Sequence, residues 1–288
     1  MPTATEWRLA LGQRIGMAYA ANPKAAVVMV AGSTGRGTAD RYSDLEIDVY
    51  WAEPPTDDER RAAAEGGGGT LLDLAPYEED EWAETIDFGG FHIGTSTFLV
   101  ATMEEYLRAV LDRASIDPLA QMRLSSVLRA RTVVGTELVR RWRARAAAYP
   151  TALAHAMLAA NLEFEGFGYD EDMLAARDDL LRLYDVFCRV ERQLLGALLG
   201  LNRRYLPNPG FKHMDELIAE FQFAPPNLSS RLKGTFHVPP PEGVRQLHAL
   251  CEETLDLVAQ DLPDFDTTRF RTHLRQRRGA WDAAPPQA

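Results

Sequence analysis

Two cysteines in 288 residues, Cys188 and Cys251, with no Cys-x-x-Cys pair, leave no material for a disulfide framework or a thiolate zinc site. That usage fits a reducing compartment, and the cytoplasm is the expected location. Long apolar runs are missing too. None approaches the roughly 20 residues of a membrane span, so no membrane association is expected. The start, MPTATEWRLALGQR, lacks the basic segment, apolar stretch and small-residue cleavage site of a secretory signal. Positive charge is scarce: 31 Lys and Arg stand against 42 Asp and Glu, a net charge of −11. Nucleic-acid affinity rests largely on Lys and Arg displacing counterions, so nucleic acid is not the expected partner and a small molecule is. His155, His213, His237 and His248 show no metal spacing, and no Gly-x-Ser-x-Gly or Cys/His pairing supports covalent catalysis. There is no internal repeat and no signal of oligomeric state.

What is present falls into two parts. Residues 5 to 21 carry Trp7, Leu11, Ile15, Ala18 and Tyr19 at helical spacing. AAVVMVAG (25 to 32) reads as a buried strand. In LEIDVYW (45 to 51), Leu45, Ile47, Val49 and Trp51 face one way, while Asp44, Glu46, Asp48 and Tyr50 face the other. PPTDDERRAAAE reads as a polar helix that GGGG (66 to 69) breaks. Strands are expected near 70 to 75, 82 to 88, 91 to 100 and 131 to 135, the second and third joined by a Gly89-Gly90 turn. Beyond Glu137 the periodicity is helical, with long runs at 171 to 201 and 243 to 262. The fold class expected is α+β: an N-terminal mixed-sheet domain (1–148), a C-terminal all-helical domain (149–280) closing one side of an active cleft, and a disordered tail (281–288).

Chemistry concentrates in AGSTGRGTADRYSDLEIDVYW, residues 31 to 51. Carboxylates at i and i+2 of a strand stand about 6.6 Å apart on one face and can share a cation. Asp44 and Glu46 meet that condition, whereas Asp48 lies about 13 Å along the face from Asp44. Mg²⁺ takes hard oxygen ligands and suits a few carboxylates plus substrate phosphates. Gly32 lets the backbone turn closely, Ser33 presents a hydroxyl and an N–H to phosphate oxygens, and Arg36 can neutralise a triphosphate. Gly35 and Gly37 keep the loop narrow. The competing reading is a charged edge strand that discourages aggregation.

These residues resemble the nucleotidyltransferase superfold of DNA polymerase β and the kanamycin and lincosamide nucleotidyltransferases, whose signature is Gly-Ser followed by Asp-x-Asp or Asp-x-Glu. Here it reads Gly32-Ser33, then Asp44-Leu45-Glu46. The resemblance implies that Gly32 and Ser33 hold nucleotide phosphates and that Asp44 and Glu46 hold Mg²⁺. It implies transfer of a nucleoside monophosphate from an NTP, ATP first, to a hydroxyl of a small molecule. LLRLYDVFCRVERQLLGALLGLNRRYLPNPGFKHMDELI is similar to the helical portion of a bacterial nucleotidyltransferase-like family of uncharacterised function. By that resemblance Asn202, Arg203, Tyr205 and Lys212 face the cleft, with Lys212 touching phosphate.

One departure stands out. The superfold adds a third carboxylate from a later strand, and here that position falls on His92 in GGFHIGTSTF. Either His92 substitutes, or Asp87 or Glu84 supplies the oxygen, or catalysis is lost or changed. His92 suits a general base better than a Mg²⁺ ligand. In some antibiotic-modifying relatives the base comes from the helical domain, a role for which NLEFEGFGYDED offers Glu163 and Glu165, with Phe164 or Phe167 expected to bury the carboxylate. Two alternatives complete the expectations: a catalytically weakened nucleotide-binding module, and a nucleotidyltransferase acting on protein or RNA, as in a toxin–antitoxin pair. GGGG lacks the Lys-Ser/Thr of a P-loop and reads as a flexible loop, and RRWRAR (140 to 145) as a solvated helix face.

Overall fold

A computed structural model describes residues 3–279, and the chain divides into two compact units, Met1–Ala148 and Tyr149–Ala288. The tail 281–288, expected to be disordered, lies outside the described residues. Among those residues no helix is long and apolar enough to cross a membrane.

The first unit runs α1 (Ala4–Ala20), β1 (Ala25–Val30), α2 (Gly32–Arg36), β2 (Leu45–Trp51), α3 (Asp57–Gly66), β3 (Thr70–Leu74), β4 (Trp82–Phe88), β5 (Phe91–Leu99), α4 (Val100–Asp112), α5 (Pro118–Arg129), β6 (Arg131–Val134) and α6 (Thr136–Ala146). Both α1 and α3 start on a capping box, Thr3 with Glu6 and Thr56 with Glu59, in which each side chain satisfies an amide the helix leaves open. Pro118 opens α5, where its missing N–H costs nothing, and Asp117 caps it.

The six strands order β3-β4-β5-β2-β1-β6. Only β2 and β5 run parallel, and the chain between them supplies α3 and the β3–β4 hairpin. The alternation in β2 sorts as its sequence dictates: Leu45, Ile47, Val49 and Trp51 are all fully buried in a core with Ile15 and Tyr19 of α1 and Ala63 and Ala64 of α3. Because β2 lies between β5 and β1, it is not an edge, and its carboxylates do not serve as edge protection.

The second unit runs α7 (Thr151–Asn161), α8 (Glu171–Ala176), α9 (Leu180–Leu201), α10 (Met214–Ala219), α11 (Leu228–Gly234), α12 (Pro240–Asp261) and α13 (Thr268–Leu274). The expected single helix over 171–201 is two: the chain turns at Arg177–Asp179, with Asp178 at φ 59°. Along α9, Gly196 and Gly200 let α7 approach closely. A β-carbon on Gly200 would stand 2.7 Å from Met157 Cβ, and one on Gly196 2.7 Å from Asn161 Cγ.

One buried acid makes this unit pH-sensitive. Burial pushes the Glu191 carboxyl up to about 7, and the Thr235 hydroxyl that donates to it at 2.9 Å only partly opposes the rise. The folded state therefore prefers the protonated acid. No cost exists below the unfolded value near 4.5. Stability then falls as pH rises through that value towards 7, and above 7 the full penalty is present. At about 1.4 kcal/mol per unit the penalty reaches about 3 kcal/mol at most. Glu191→Gln should flatten the decline in urea midpoint between pH 5 and pH 8; parallel pH profiles for variant and wild type would refute this.

Candidate active site

The site residues of the first unit gather where β1 and β2 meet the single turn of α2. Ala31 N–H donates to the Glu46 carbonyl at 2.9 Å, which fastens the start of α2 to β2. Gly32 then takes φ +58°, a backbone that L side chains rarely adopt, and a β-carbon there would stand 2.7 Å from Glu46 Cδ. The Glu46 carboxylate thus lies over bare backbone at the Gly-Ser turn. Ser33 and Arg36 are half-buried on α2, and Arg36 has no partner among the described residues. The turn ends at Gly37, φ +84°, and Thr38 N–H closes back on the Ser33 carbonyl at 2.9 Å.

Asp44 stands one residue before β2 and is exposed, as is Glu46. Two groups hold the approach to it. The Asp40 carboxylate accepts from Tyr42 N–H at 2.9 Å and from the Ser43 hydroxyl at 3.0 Å, folding the loop on itself. Arg8 of α1 donates from Nε to the Ser43 carbonyl at 3.0 Å while stacking on Trp7. Arg8 is a positioning residue that the sequence did not single out. Its only sequence signal is helical spacing with Gly12, Ile15 and Tyr19, the buried side of α1, where Arg8 is 3% exposed.

Asp48 behaves differently from its two neighbours. It is 2% exposed, accepts from the Ser126 hydroxyl at 2.6 Å and lies 3.7 Å from Arg123. Burial pushes its carboxyl up, against the pull of Arg123 and Ser126.

The β2–β5 register decides which side chains stand beside the two carboxylates. In the parallel register Glu46 pairs with Gly94 and Asp48 with Ser96, so β5 presents His92, Gly94, Ser96 and Phe98 on the carboxylate face. None is an acid. Extending the register one residue sets His92 beside Asp44. Its side chain is 68% exposed, with Nε2 3.6 Å from Asp87 Oδ1. Asp87 is the cross-strand partner of His92 and shares its face, but it stands one strand further from β2 and accepts from Gly90 N–H at 3.0 Å in the hairpin turn. Glu84 does not supply the oxygen. It pairs with Thr95, points to the opposite face, and is fully buried against Arg60 at 2.6 Å.

In the second unit the expected base does not have the expected surroundings. Phe164 and Phe167 are fully buried and point into the helical core, whereas Glu163 and Glu165 point out and are exposed. Glu163 is ion-paired with Arg269 at 3.0 Å. The side chain of Asn202 is structural: its Nδ2 donates to the carbonyls of Leu198 and Phe223, both at 2.8 Å, and its Oδ1 accepts from Gln222 and Phe223 N–H at 2.7 and 2.9 Å. That set uses the amide fully. Tyr205 is buried 5.0 Å from the Tyr149 ring, so it too is core. Arg203, at φ 53°, and Lys212 are exposed.

Two carboxylates suit a hard oxygen-preferring cation. Among the described residues no group of three His, Cys, Asp or Glu forms a metal cluster, so a cation at Asp44 and Glu46 would draw its other ligands from phosphate oxygens and water.

Comparison with known proteins gives two likenesses. A family model described as a domain of unknown function, DUF4037, matches residues 118–212. The chain is also similar to the crystal structure of a nucleotidyltransferase-like protein from Exiguobacterium sibiricum 255-15, with a TM-score of 0.42 and 11% sequence identity, over 88% of this chain and 77% of that one. No curated protein matches.

Proposed function

We propose that the protein is a Mg²⁺-dependent nucleotidyltransferase that moves a nucleoside monophosphate from an NTP, ATP first, to a hydroxyl of a small molecule. The observation that carries this reading is the pair of exposed carboxylates, Asp44 and Glu46, at the mouth of an interior strand, with Glu46 laid over the bare backbone of Gly32. Charges placed there serve neither edge protection nor the core.

Asp44 and Glu46 would hold the metal, which when bound neutralises phosphate charge and polarises the transferring group. Gly32 and Ser33 offer backbone N–H groups to the phosphates, and Arg36 supplies a positive charge that no carboxylate among the described residues takes up. The acceptor oxygen forms a bond to the α-phosphorus, the bond from that phosphorus to the β-phosphate oxygen breaks, and pyrophosphate leaves. His92, exposed on the same face, takes the acceptor proton. Positioning and charge neutralisation supply most of the rate in such transfers.

The absence of an acid from the carboxylate face of β5 favours a second reading, a nucleotide-binding module with weakened catalysis. α-Labelled ATP incubated with the protein, Mg²⁺ and a cell lysate separates the readings. Label entering a small-molecule fraction with pyrophosphate release is the expected result. Label entering protein or RNA assigns a macromolecular acceptor instead, and Mg-ATP binding without any pyrophosphate release supports the weakened module.

A further inference from the structure

The loop that joins the Gly-Ser turn to the carboxylate pair carries one ring that neither the core nor the transfer chemistry above uses. Tyr42 is 77% exposed, the most exposed aromatic among the described residues; the next, Tyr169, is 49% exposed. A single exposed tyrosine is ordinary on a protein surface. Its place and its support set this one apart.

The backbone around it is fixed at several points. Tyr42 N–H donates to the Asp40 carboxylate and Asp40 N–H donates to the Ser43 hydroxyl, both at 2.9 Å, which closes the loop into a turn of its own. Arg8 Nε holds the Ser43 carbonyl of the same turn. The loop begins where Thr38 N–H returns to the Ser33 carbonyl, and it ends at Asp44. Tyr42 stands two residues before Asp44, so their Cα atoms are at most about 7 Å apart. A fixed turn thus holds a bare ring beside the carboxylate pair.

Arg41 supports the ring from one side. Its guanidinium lies over the Tyr42 ring, 4.4 Å from the centroid, and forms no ion pair among the described residues. An arginine stacked in this way keeps a ring in one orientation, and the high exposure of Tyr42 leaves the other face open. The chemistry of that open face selects its ligand. The face of an aromatic ring is electron-rich and does not attract phosphate. It attracts an ammonium, but Arg41 already places a positive charge behind it. A nucleobase is flat and delocalised, and stacks on such a ring whatever its identity because every base has a π-face. The Asp40 carboxylate is committed to Tyr42 N–H and the Ser43 hydroxyl, so recognition here is by stacking and not by reading base edges. Stacking strength then sets the preference, and the two fused rings of a purine cover the phenol better than the single ring of a pyrimidine.

We infer that Tyr42, backed by Arg41, is the platform on which the base of the nucleotide stacks, and that this base is a purine. The inference rests on the transfer reading above. It adds a seat for the one part of the NTP that the metal pair and the Gly-Ser turn leave unbound.

Calorimetric titration of the full chain with the Mg²⁺ complexes of ATP, GTP, UTP and tripolyphosphate tests it, because tripolyphosphate carries the phosphates without the base. ATP and GTP are expected to bind alike, UTP more weakly and tripolyphosphate more weakly still. Tyr42→Ala should weaken ATP binding by at least about fivefold and leave tripolyphosphate binding unchanged. Tyr42→Phe keeps the ring and should bind ATP within about twofold of wild type. Because Tyr42 is exposed, neither change should move the urea midpoint. Unchanged ATP affinity in Tyr42→Ala, equal loss of ATP and tripolyphosphate binding, or tighter binding of UTP than of ATP would each overturn the inference while the metal and phosphate assignments stand. Binding of neither ATP nor tripolyphosphate by the wild-type chain would instead remove the transfer reading, and this inference with it.

Discussion

Asp44→Asn and Glu46→Gln are each expected to lower NTP-dependent pyrophosphate release by at least about a hundredfold, the scale on which single preorganised charge-stabilising groups act. Neither change should alter the fold by more than about 0.5 kcal/mol, because both side chains are exposed. That contrast is what separates a metal-binding role from a structural one. Gly32→Ala offers an independent check. It keeps both carboxylates, yet the backbone at φ +58° resists a β-carbon and the new atom would displace Glu46. Transfer should therefore fall in Gly32→Ala as well, with a stability cost of about 1 kcal/mol from the strained residue. The measurement is steady-state pyrophosphate release with saturating Mg-ATP, beside urea unfolding of each variant. Full activity in either carboxylate variant would remove the metal assignment, whatever Gly32→Ala does.

How far this site was legible depends on which physical signal each residue carries. The alternation of β2 exposes its two faces because burial on one face demands every second residue be apolar, and the structure sorts them that way. Neighbouring strands were legible for the same reason, down to the Gly89-Gly90 hairpin turn. Glu84 shares its parity with fully buried Ile86 two residues on, which assigns it to the core side of β4. Arg60 is similar: Arg60, Ala63 and Ala64 sit at i, i+3 and i+4, the inner face of α3, but a polar composition disguises it. Asn202 and the environment of Glu163 could not be read from one sequence. Their partners, the 222–223 backbone and Arg269, lie 20 or more residues away and are set by helix packing. The register between β2 and β5, which shows that no acid stands beside Glu46, is likewise a product of the intervening α3 and the β3–β4 hairpin.

Breaking the Arg60–Glu84 pair should be the most damaging single change to the stability of the first unit, at about 3 to 5 kcal/mol for Glu84→Ala or Arg60→Ala. Both side chains are about 1% exposed or less, and the network around them is well supplied with partners. Arg60 donates to Glu84 Oε1 at 2.6 Å, to the carbonyls of Ala75 and Ala83 at 2.8 and 3.1 Å, and to Asp57 at 3.1 Å. Glu84 also accepts from the hydroxyls of Tyr19, at 3.2 Å, and Thr95. Removing Arg60 leaves Glu84 buried without a counterion, and removing Glu84 leaves buried Arg60 with only the exposed Asp57, so either change costs far more than the pair contributes. Arg60→Met combined with Glu84→Leu removes both charges at similar volume. It should recover part of the loss, but not all, because the Tyr19 and Thr95 hydroxyls and the Ala75 and Ala83 carbonyls would lose partners. Urea midpoints of the two single variants and the double variant decide the matter. Single-variant costs below about 1 kcal/mol would mean that water reaches the charge that remains. The network ties α1 and α3 to β4 and β5, so it holds both the helix that carries Arg8 and the strand that sets Gly94 beside Glu46. A variant that still folds with this network broken should therefore lose pyrophosphate release at urea concentrations below those that unfold it.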